Sequence, residues 1–317
     1  MAALLSMVLK RVLVAGFTLL LVSVVVFTIT SLLPGDAVQE MLGQNATEET
    51  VAAMREQLGL DQPPHVRYFR WLGGLLKGDP GKSLINNLPV REIIAERLPK
   101  SLLLAGLTAA VAVPLALLIG MLSAMHRDSW LDRGLNLVTL GMVAVPEFLV
   151  ATVAVIIFSV QLRLLPSITL IPSDATALQL VRAFAMPVMT LAFVIVAQMA
   201  RMTRAAIIDQ LEAPYVEMAI LKGASPSRVA LTHALPNAVG PIVNAMALSL
   251  SYLLGGAIIV ETIFNYPGLA SLMVNAVTSR DMPLLQACAM IFSAAYLLLV
   301  LIADLTAIFA NPRLRHP

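Results

Sequence analysis

The sequence predicts an all-α membrane protein with six transmembrane helices. Of its 317 residues, 59% are hydrophobic and only 13% are charged, whereas a soluble domain carries roughly 25% charged residues. The apolar residues form continuous runs that are long enough to cross the roughly 30 Å hydrocarbon core of a bilayer. An ordinary soluble enzyme and a disordered chain are therefore excluded. A net charge of +2 gives no indication of nucleic-acid binding.

Six apolar segments follow one another along the chain, at 12–33, 101–125, 135–162, 183–200, 238–260 and 284–309. Lys10 and Arg11 precede the first segment as in a signal peptide. The run is too long for a usual signal core and no Ala-x-Ala cleavage site follows it, so we expect a retained helix. The third segment contains Pro146 and Glu147, and because proline removes a backbone hydrogen bond, a kink is predicted there.

The predicted domains are consecutive: a tail with the first helix (1–33), a polar block (34–100), a five-helix core (101–310) and a tail (311–317). Orientation follows from Lys and Arg near the helix ends. With the N-terminus inside, the short inner segments hold ten basic residues, namely Lys10, Arg11, Arg127, Arg133, Arg201, Arg204, Lys222, Arg228, Arg313 and Arg315. The short outer loops hold three, namely Arg163, Arg182 and Arg280. Both termini and the polar stretch 202–236 are thus expected in the cytoplasm, and 34–100 outside.

The stretch 202–236 is predicted to form two short helices, at about 215–222 and 226–234. Gly223 is a helix-stop residue, and Ser225 followed by Pro226 is a good helix start. A helical hairpin on the inner membrane face suits a docking surface. In the outer block, Thr47 is predicted to cap a helix that begins with Glu48 and Glu49.

Catalytic and metal motifs are absent from the sequence. Gly81-Lys82-Ser83 ends like a phosphate-binding loop, but Leu76 stands where that motif needs its first glycine. The four histidines are scattered, and Cys288 is the single cysteine, so no metal site or disulfide is predicted. We expect Cys288 to be an ordinary packing residue.

Ionisable groups within the membrane are costly and are therefore candidates for function. Glu147 beside the proline break could face a solute cavity, or could be buried and paired. Glu261 and Asp304, near helix ends, are expected to snorkel or cap, with a role in the solute path as the alternative. The candidate residues of a translocation path are Pro146, Glu147, Ser249 and Glu261.

The cytoplasmic stretch resembles the EAA motif (E-A-A-x3-G-x9-I-x-L-P) of permease subunits in binding-protein-dependent ABC importers. Five positions match in register, namely Glu217, Ala219, Gly223, Leu235 and Pro236. Met218 replaces the second alanine and His233 replaces the isoleucine. The form His-Ala-Leu-x-Asn at 233–237 is similar to the peptide-importer branch. Segments 33–36, 78–83, 261–269 and 304–313 also resemble that branch, most closely the first of its two permeases.

The resemblance implies the permease architecture of a type I ABC importer in the bacterial inner membrane, without catalytic residues or cofactors of its own. It implies a coupling helix at about 212–222 that docks on an ATPase. Its coupling residues would be Glu212, Tyr215, Glu217, Ala219, Lys222, Gly223, His233, Leu235 and Pro236. The implied partners are a homologous second permease, two ATPases that bind ATP and Mg, and an external solute-binding protein. The implied cargo is a dipeptide or oligopeptide, with a nickel chelate or a glutathione-like peptide as alternatives.

Two other functions are open to a chain of this composition. A stand-alone secondary transporter would show matched broken helices in two halves of the sequence, and the one large outer loop and one cytoplasmic hairpin have no counterparts. An intramembrane enzyme would need a catalytic pair at membrane depth, and no such pair is evident.

Overall fold

The computed structural model describes residues 2–32, 38, 47–57, 59–169, 174–225 and 228–310. Within these ranges the regular structure is helical, apart from an isolated backbone bridge between Lys82 and Pro89. The predicted all-α class is confirmed. Several sequence features lie wholly or partly outside the described residues, namely 33–36, Pro226 and the tail 311–317.

Eleven α-helices are described, in the following chain order. They are α1 (Ala2–Leu32), α2 (Glu48–Gln57), α3 (Pro64–Leu76), α4 (Val90–Met125), α5 (Trp130–Ala144), α6 (Glu147–Ala154), α7 (Ala177–Leu211), α8 (Pro214–Leu221), α9 (Leu235–Ile263), α10 (Leu269–Thr278) and α11 (Met282–Ala310). Two π-helical segments accompany them: π1 (Val155–Gln161) continues α6, and π2 (Val229–Ala234) leads directly into α9.

Five described helices are long and apolar enough to cross a membrane: α1, α4, α7, the continuous pair π2–α9, and α11. The third predicted segment is broken into α5 and the arm α6–π1, which meet at an angle of 95°. The kink predicted at Pro146 is confirmed and is sharp. The other helices extend beyond the apolar windows because helical structure continues into the charged residues at the membrane surface, as at Arg201 and Arg204 of α7.

The chain forms two compact units, one comprising 1–12, 103–266 and 298–317 and the other comprising 13–102 and 267–297. In the first unit, α7 is central: 61% of its most apolar window is buried, against 33% for the continuous pair π2–α9. Its core side chains pack with residues of α4, α6 and α9. Gly120 of α4 allows close packing, since a Cβ there would lie 2.6 Å from the Ala200 carbonyl oxygen of α7.

In the second unit, α10 and the start of α11 pack against the start of α4 through Val90, Ile94 and Leu269. Cys288 lies buried in this cluster as the expected packing residue. The Ser83 hydroxyl donates to the Asp281 carboxylate, and the Leu84 N–H donates to the same carboxylate at 3.1 Å. The segment 78–84 is thereby anchored to the turn before α11.

The two units are interleaved along the chain, whereas the predicted domains are consecutive. The block 34–100 shares one compact unit with 13–33 and 267–297. Pairings between segments so distant in the chain leave no local trace in composition, so the sequence could not reveal this arrangement. The Thr47 cap is present as predicted, with the Thr50 N–H donating to Thr47 Oγ1 at 3.2 Å.

Candidate functional site

The short helix α8 follows α7 and precedes π2 and α9 in the chain, and it ends in a defined cap. The Gly223 N–H donates to the Ile220 carbonyl at 2.8 Å, and the Ala224 N–H donates to the Ala219 carbonyl at 3.1 Å. This pair of bonds is a Schellman motif, which requires a left-handed residue after the cap. Gly223 adopts φ +80°. A Cβ there would meet nothing within 4 Å, so the backbone angle, and not space, calls for glycine.

Helix α8 has one buried side, and large hydrophobic residues occupy its exposed surface. Val216 and Ala219 are buried and pack against Val229 of π2. Met218 and Leu221 are exposed by 55% and 74%, and Ile220 is also exposed. We call Met218, Ile220 and Leu221 the exposed apolar residues of α8. Sequence reasoning missed these residues as a group, although the departure from the motif at Met218 placed a large hydrophobic residue among them.

The predicted charged and polar residues around α8 lie on its surface. Glu217 and Lys222 are exposed, and neither makes an ion pair with any part of the chain that the structure describes. The Tyr215 hydroxyl donates to Gln210 Oε1 at 3.0 Å. Glu212, at the end of α7, accepts a hydrogen bond of 2.5 Å from Arg127 in the turn before α5. This hydrogen bond and the negative charge of Glu212 raise the pKa of Arg127.

The second half of the predicted hairpin differs from the expectation. Residues 229–234 are π-helical and continue without a break into α9, so they are not a separate short helix. Pro236, which has no N–H to donate, is the second residue of α9, directly after π2. The His233 carbonyl accepts from Asn237 Nδ2 at 2.8 Å, and Leu235 packs against the cluster that contains Ile207 and Ala238.

A buried ion pair that sequence reasoning missed joins the helices next to α8. The Asp132 side chain is only 3% exposed, and its two oxygens accept from Arg204 Nε and Nη2 at 2.7 Å each. The same carboxylate accepts from the Ser123 hydroxyl, from Asn136 Nδ2 at 2.8 Å and from the Asp128 N–H at 3.0 Å. Asp132 therefore holds together the end of α4, the start of α5 and α7.

The proline break brings Glu147 against α9. Pro146 is exposed at the start of α6, and Glu147 is partly buried. A Cβ built on Gly256 would lie 2.6 Å from Glu147 Oε1, so glycine makes room for the carboxylate. Within the described residues Glu147 has no hydrogen-bond or ion-pair partner, which excludes the paired alternative there. Ser249 lies seven residues before Gly256 on the same side of α9; it is buried, and its hydroxyl has no partner among those residues.

Glu261 does not snorkel, because its side chain is fully buried. The chain reverses directly after it, with Asn265 at φ +47° and the Tyr266 N–H donating to the Glu261 carbonyl at 2.8 Å. Burial, and secondarily the charge of Glu261, raise the pKa of Tyr266 to about 12. Asp304 is partly exposed and accepts from Arg11 Nη1 at 2.7 Å.

Comparisons with known proteins agree with one another over nearly the whole chain. Residues 116–316 match the family described as binding-protein-dependent transport system inner membrane component, and residues 4–105 match its N-terminal domain. The chain is 36% identical over 311 residues to a peptide transport system permease protein of Brucella abortus (strain 2308), covering 98% of this chain and 99% of that protein. It is 39% identical over 313 residues, with the same coverage, to the glutathione transport system permease protein GsiC of Salmonella paratyphi A.

Proposed function

Since the chain belongs to the binding-protein-dependent transport system inner membrane component family, we propose that it forms, with a homologous permease, the solute path of an ATP-driven peptide importer. Peptides are the proposed cargo because both similar permeases are named for peptide or glutathione transport. Both termini and α8 would lie in the cytoplasm, and the block 34–100 outside. Two partner ATPases would bind ATP and Mg and supply the hydrolysis, and an external binding protein would deliver the solute.

The exposed apolar residues of α8 are the observation that carries this proposal. Three large hydrophobic side chains on an eight-residue helix, Met218, Ile220 and Leu221, are exposed at the surface of the chain. An exposed apolar patch beside unpaired charges is typical of an interaction site. Glu217 and Lys222, which make no ion pair in the described chain, flank the patch. This surface suits a helix to which an ATPase binds.

The contacts around α8 would carry a movement of the ATPases into the membrane. The Schellman cap and the packing of Val216 and Ala219 make α8 a rigid appendage of its neighbours. The ion pairs of Glu212 and of Arg204 tie the end of α7 to the start of α5. Helix α5 ends at the break before Glu147. A push on α8 would therefore change the angle at this break, which is a hinge-type route to alternating access.

Glu147 is the proposed polar contact of the solute in this chain, since Ser249, like Glu261, is fully buried. Peptides and glutathione carry a positively charged α-amino group, and Glu147 offers a carboxylate that no described residue occupies. Pro146 would set the position of this carboxylate at the hinge. Glu261 is fully buried, so we assign it to holding the end of α9 and not to the path.

Substitution of Leu221 by glutamate tests the docking role. The full complex would be reconstituted in proteoliposomes, and ATPase copurification, vanadate-sensitive ATP hydrolysis and peptide uptake would be measured. A charge in an apolar contact should weaken ATPase binding by at least about tenfold. Leu88→Glu is the matched control, since Leu88 is also exposed and lies in the other unit.

Unchanged ATPase binding and uptake in Leu221→Glu would contradict the docking role of α8. Uptake by the purified chain alone, driven by an ion gradient, would contradict the importer proposal and favour a secondary transporter.

A further inference from the structure

A second polar site lies in the unit formed by 13–102 and 267–297. It is an open cavity of about 660 Å³, within the size range of small-molecule sites. Its lining contains four basic side chains, Arg55, Arg67, Arg70 and Lys82, but one acidic side chain, Asp79. We call it the basic cavity. Nothing in the proposed transport cycle uses it.

The cations of the basic cavity are only partly neutralised. Arg67, Arg70 and Lys82 make no ion pair with a carboxylate of the described residues, and Arg55 lies 3.4 Å from Asp61. Trp71 also lines the cavity, and its indole N–H is buried without an acceptor in the described part of the chain. A buried indole N–H usually finds a hydrogen-bond partner. The cavity thus offers several donors and positive charges to an anionic ligand.

The basic cavity is located at the ends of two membrane-spanning helices. Phe27, Thr30 and Ser31 of α1 line it, as do Met282 and Gln286 of α11. Helix α3 lies beside α1, because the Tyr68 hydroxyl is 2.9 Å from Ser23 Oγ. Ser23 is nine residues before the end of α1, about 13 Å along the helix axis. Thr30 and Ser31 belong to the last turn of α1, so the cavity lies at the end of a membrane-spanning helix, where lipid headgroups are expected.

Helix α3 has the pattern of a helix that lies in a membrane interface. Arg67, Arg70 and Trp71 face the basic cavity. Val66, Phe69 and Leu76 are exposed by 38%, 68% and 80% and share another side of the helix. Basic and aromatic residues on one side and large apolar residues on another are the features of interfacial helices. The positive charge of the basic cavity and its position at the end of α1 together favour an anionic ligand from the membrane surface.

We propose that the basic cavity binds the phosphate headgroup of an anionic phospholipid, with the exposed apolar side of α3 in contact with the acyl chains. Guanidinium groups pair with phosphate in a bidentate manner, and clusters of basic residues at the membrane surface select acidic lipids. Arg67 and Arg70 are the selecting residues, and the Trp71 N–H is an additional donor. The site is independent of the proposed cargo, since it depends only on insertion of the chain in a membrane.

Quenching of Trp71 fluorescence by brominated lipids tests the lipid site. The chain has two tryptophans, so Trp130→Phe leaves Trp71 as the sole reporter. The full-length chain would be placed in nanodiscs of phosphatidylglycerol and phosphatidylcholine, with bromine near the top of the acyl chains of one lipid at a time. Brominated phosphatidylglycerol should quench more strongly at equal mole fraction. Arg67→Gln and Arg70→Gln should each lower the relative association about fivefold, which corresponds to about 1 kcal/mol.

Arg91→Gln is the control, because Arg91 is exposed and does not line the cavity; it should keep the preference. Unchanged quenching by brominated phosphatidylcholine would show that each variant is still folded. Equal quenching by both lipids, or a preference that survives removal of both arginines, would overturn the proposal. So would displacement of the lipid by millimolar glutathione, which would identify a solute site. Weaker binding of the external binding protein without any lipid preference would identify a protein-docking surface instead.

Discussion

Replacing Asp132 by asparagine keeps the size of the side chain but removes the negative charge that faces Arg204. In the native protein the Asp132 side chain is 3% exposed, and both contacts to Arg204 are 2.7 Å long. Removing one partner of a buried ion pair costs about 3–5 kcal/mol, because the other charge is left uncompensated. The Arg204 side chain is 24% exposed, so water can partly solvate it. We therefore expect a loss at the lower end of this range, about 3 kcal/mol.

The free energy of unfolding of the full chain would be measured by circular dichroism during titration of detergent micelles with dodecyl sulfate. Glu212→Gln is the control, because the Arg127–Glu212 pair has side chains that are 48% and 62% exposed. Water screens such a pair, so its loss should cost far less than the loss of the buried pair. The double variant Asp132→Asn with Arg204→Gln should lose less than the sum of the two single variants. A loss in Asp132→Asn no larger than that in Glu212→Gln would refute the assignment of Asp132 as the joint of α4, α5 and α7.

Three further substitutions have defined outcomes. Gly120→Ala should lower the free energy of unfolding by about 1–3 kcal/mol, because the added methyl group overpacks against α7. Gly141→Ala is the control, since a Cβ there would meet nothing within 4 Å, and it should not lower this free energy. Equal effects of the two substitutions would contradict the close packing. Gly223→Ala should cost about 1–2 kcal/mol at the left-handed cap and lower peptide uptake per ATP hydrolysed, and unaltered coupling would count against α8 as a lever. Ser83→Ala should increase amide hydrogen exchange at 83–85 and lower the free energy of unfolding by about 1–3 kcal/mol, because the buried Asp281 carboxylate loses a hydrogen-bond donor. Ser279→Ala is the control. Similar exchange in the two variants would disprove the anchoring of 78–84.

The features that depend on local sequence could be predicted. Apolar runs located the membrane helices, and Pro146 located the break, because both depend on residues adjacent in the chain. Gly223 was identified as a helix stop for the same reason. The apolar windows alone underestimated helix length, since an α-helix such as α7 continues past the charged residues that mark the membrane surface.

The features that depend on contacts between distant residues could not be predicted. Asp132 and Arg204 are 72 residues apart, and nothing near either residue indicates the other. Ser129 and Asp132 do form a local helix cap, with the Asp132 N–H donating to Ser129 Oγ at 3.2 Å; this pattern was the available signal that α5 begins there. The burial of Glu261 likewise depends on the path of the chain beyond α9.

The 95° break between α5 and α6 has a consequence for water in the membrane. Helix α5 has 15 residues and is therefore about 22 Å long, shorter than the roughly 30 Å hydrocarbon core. Its last carbonyl groups lose their helical donors at the bend, and Pro146 has no N–H to offer. Lipid tails cannot satisfy such groups, so water, protein or solute must solvate them. The need for a hydrogen-bond donor at the bend is thus set by the main chain and is independent of the side chain at position 147.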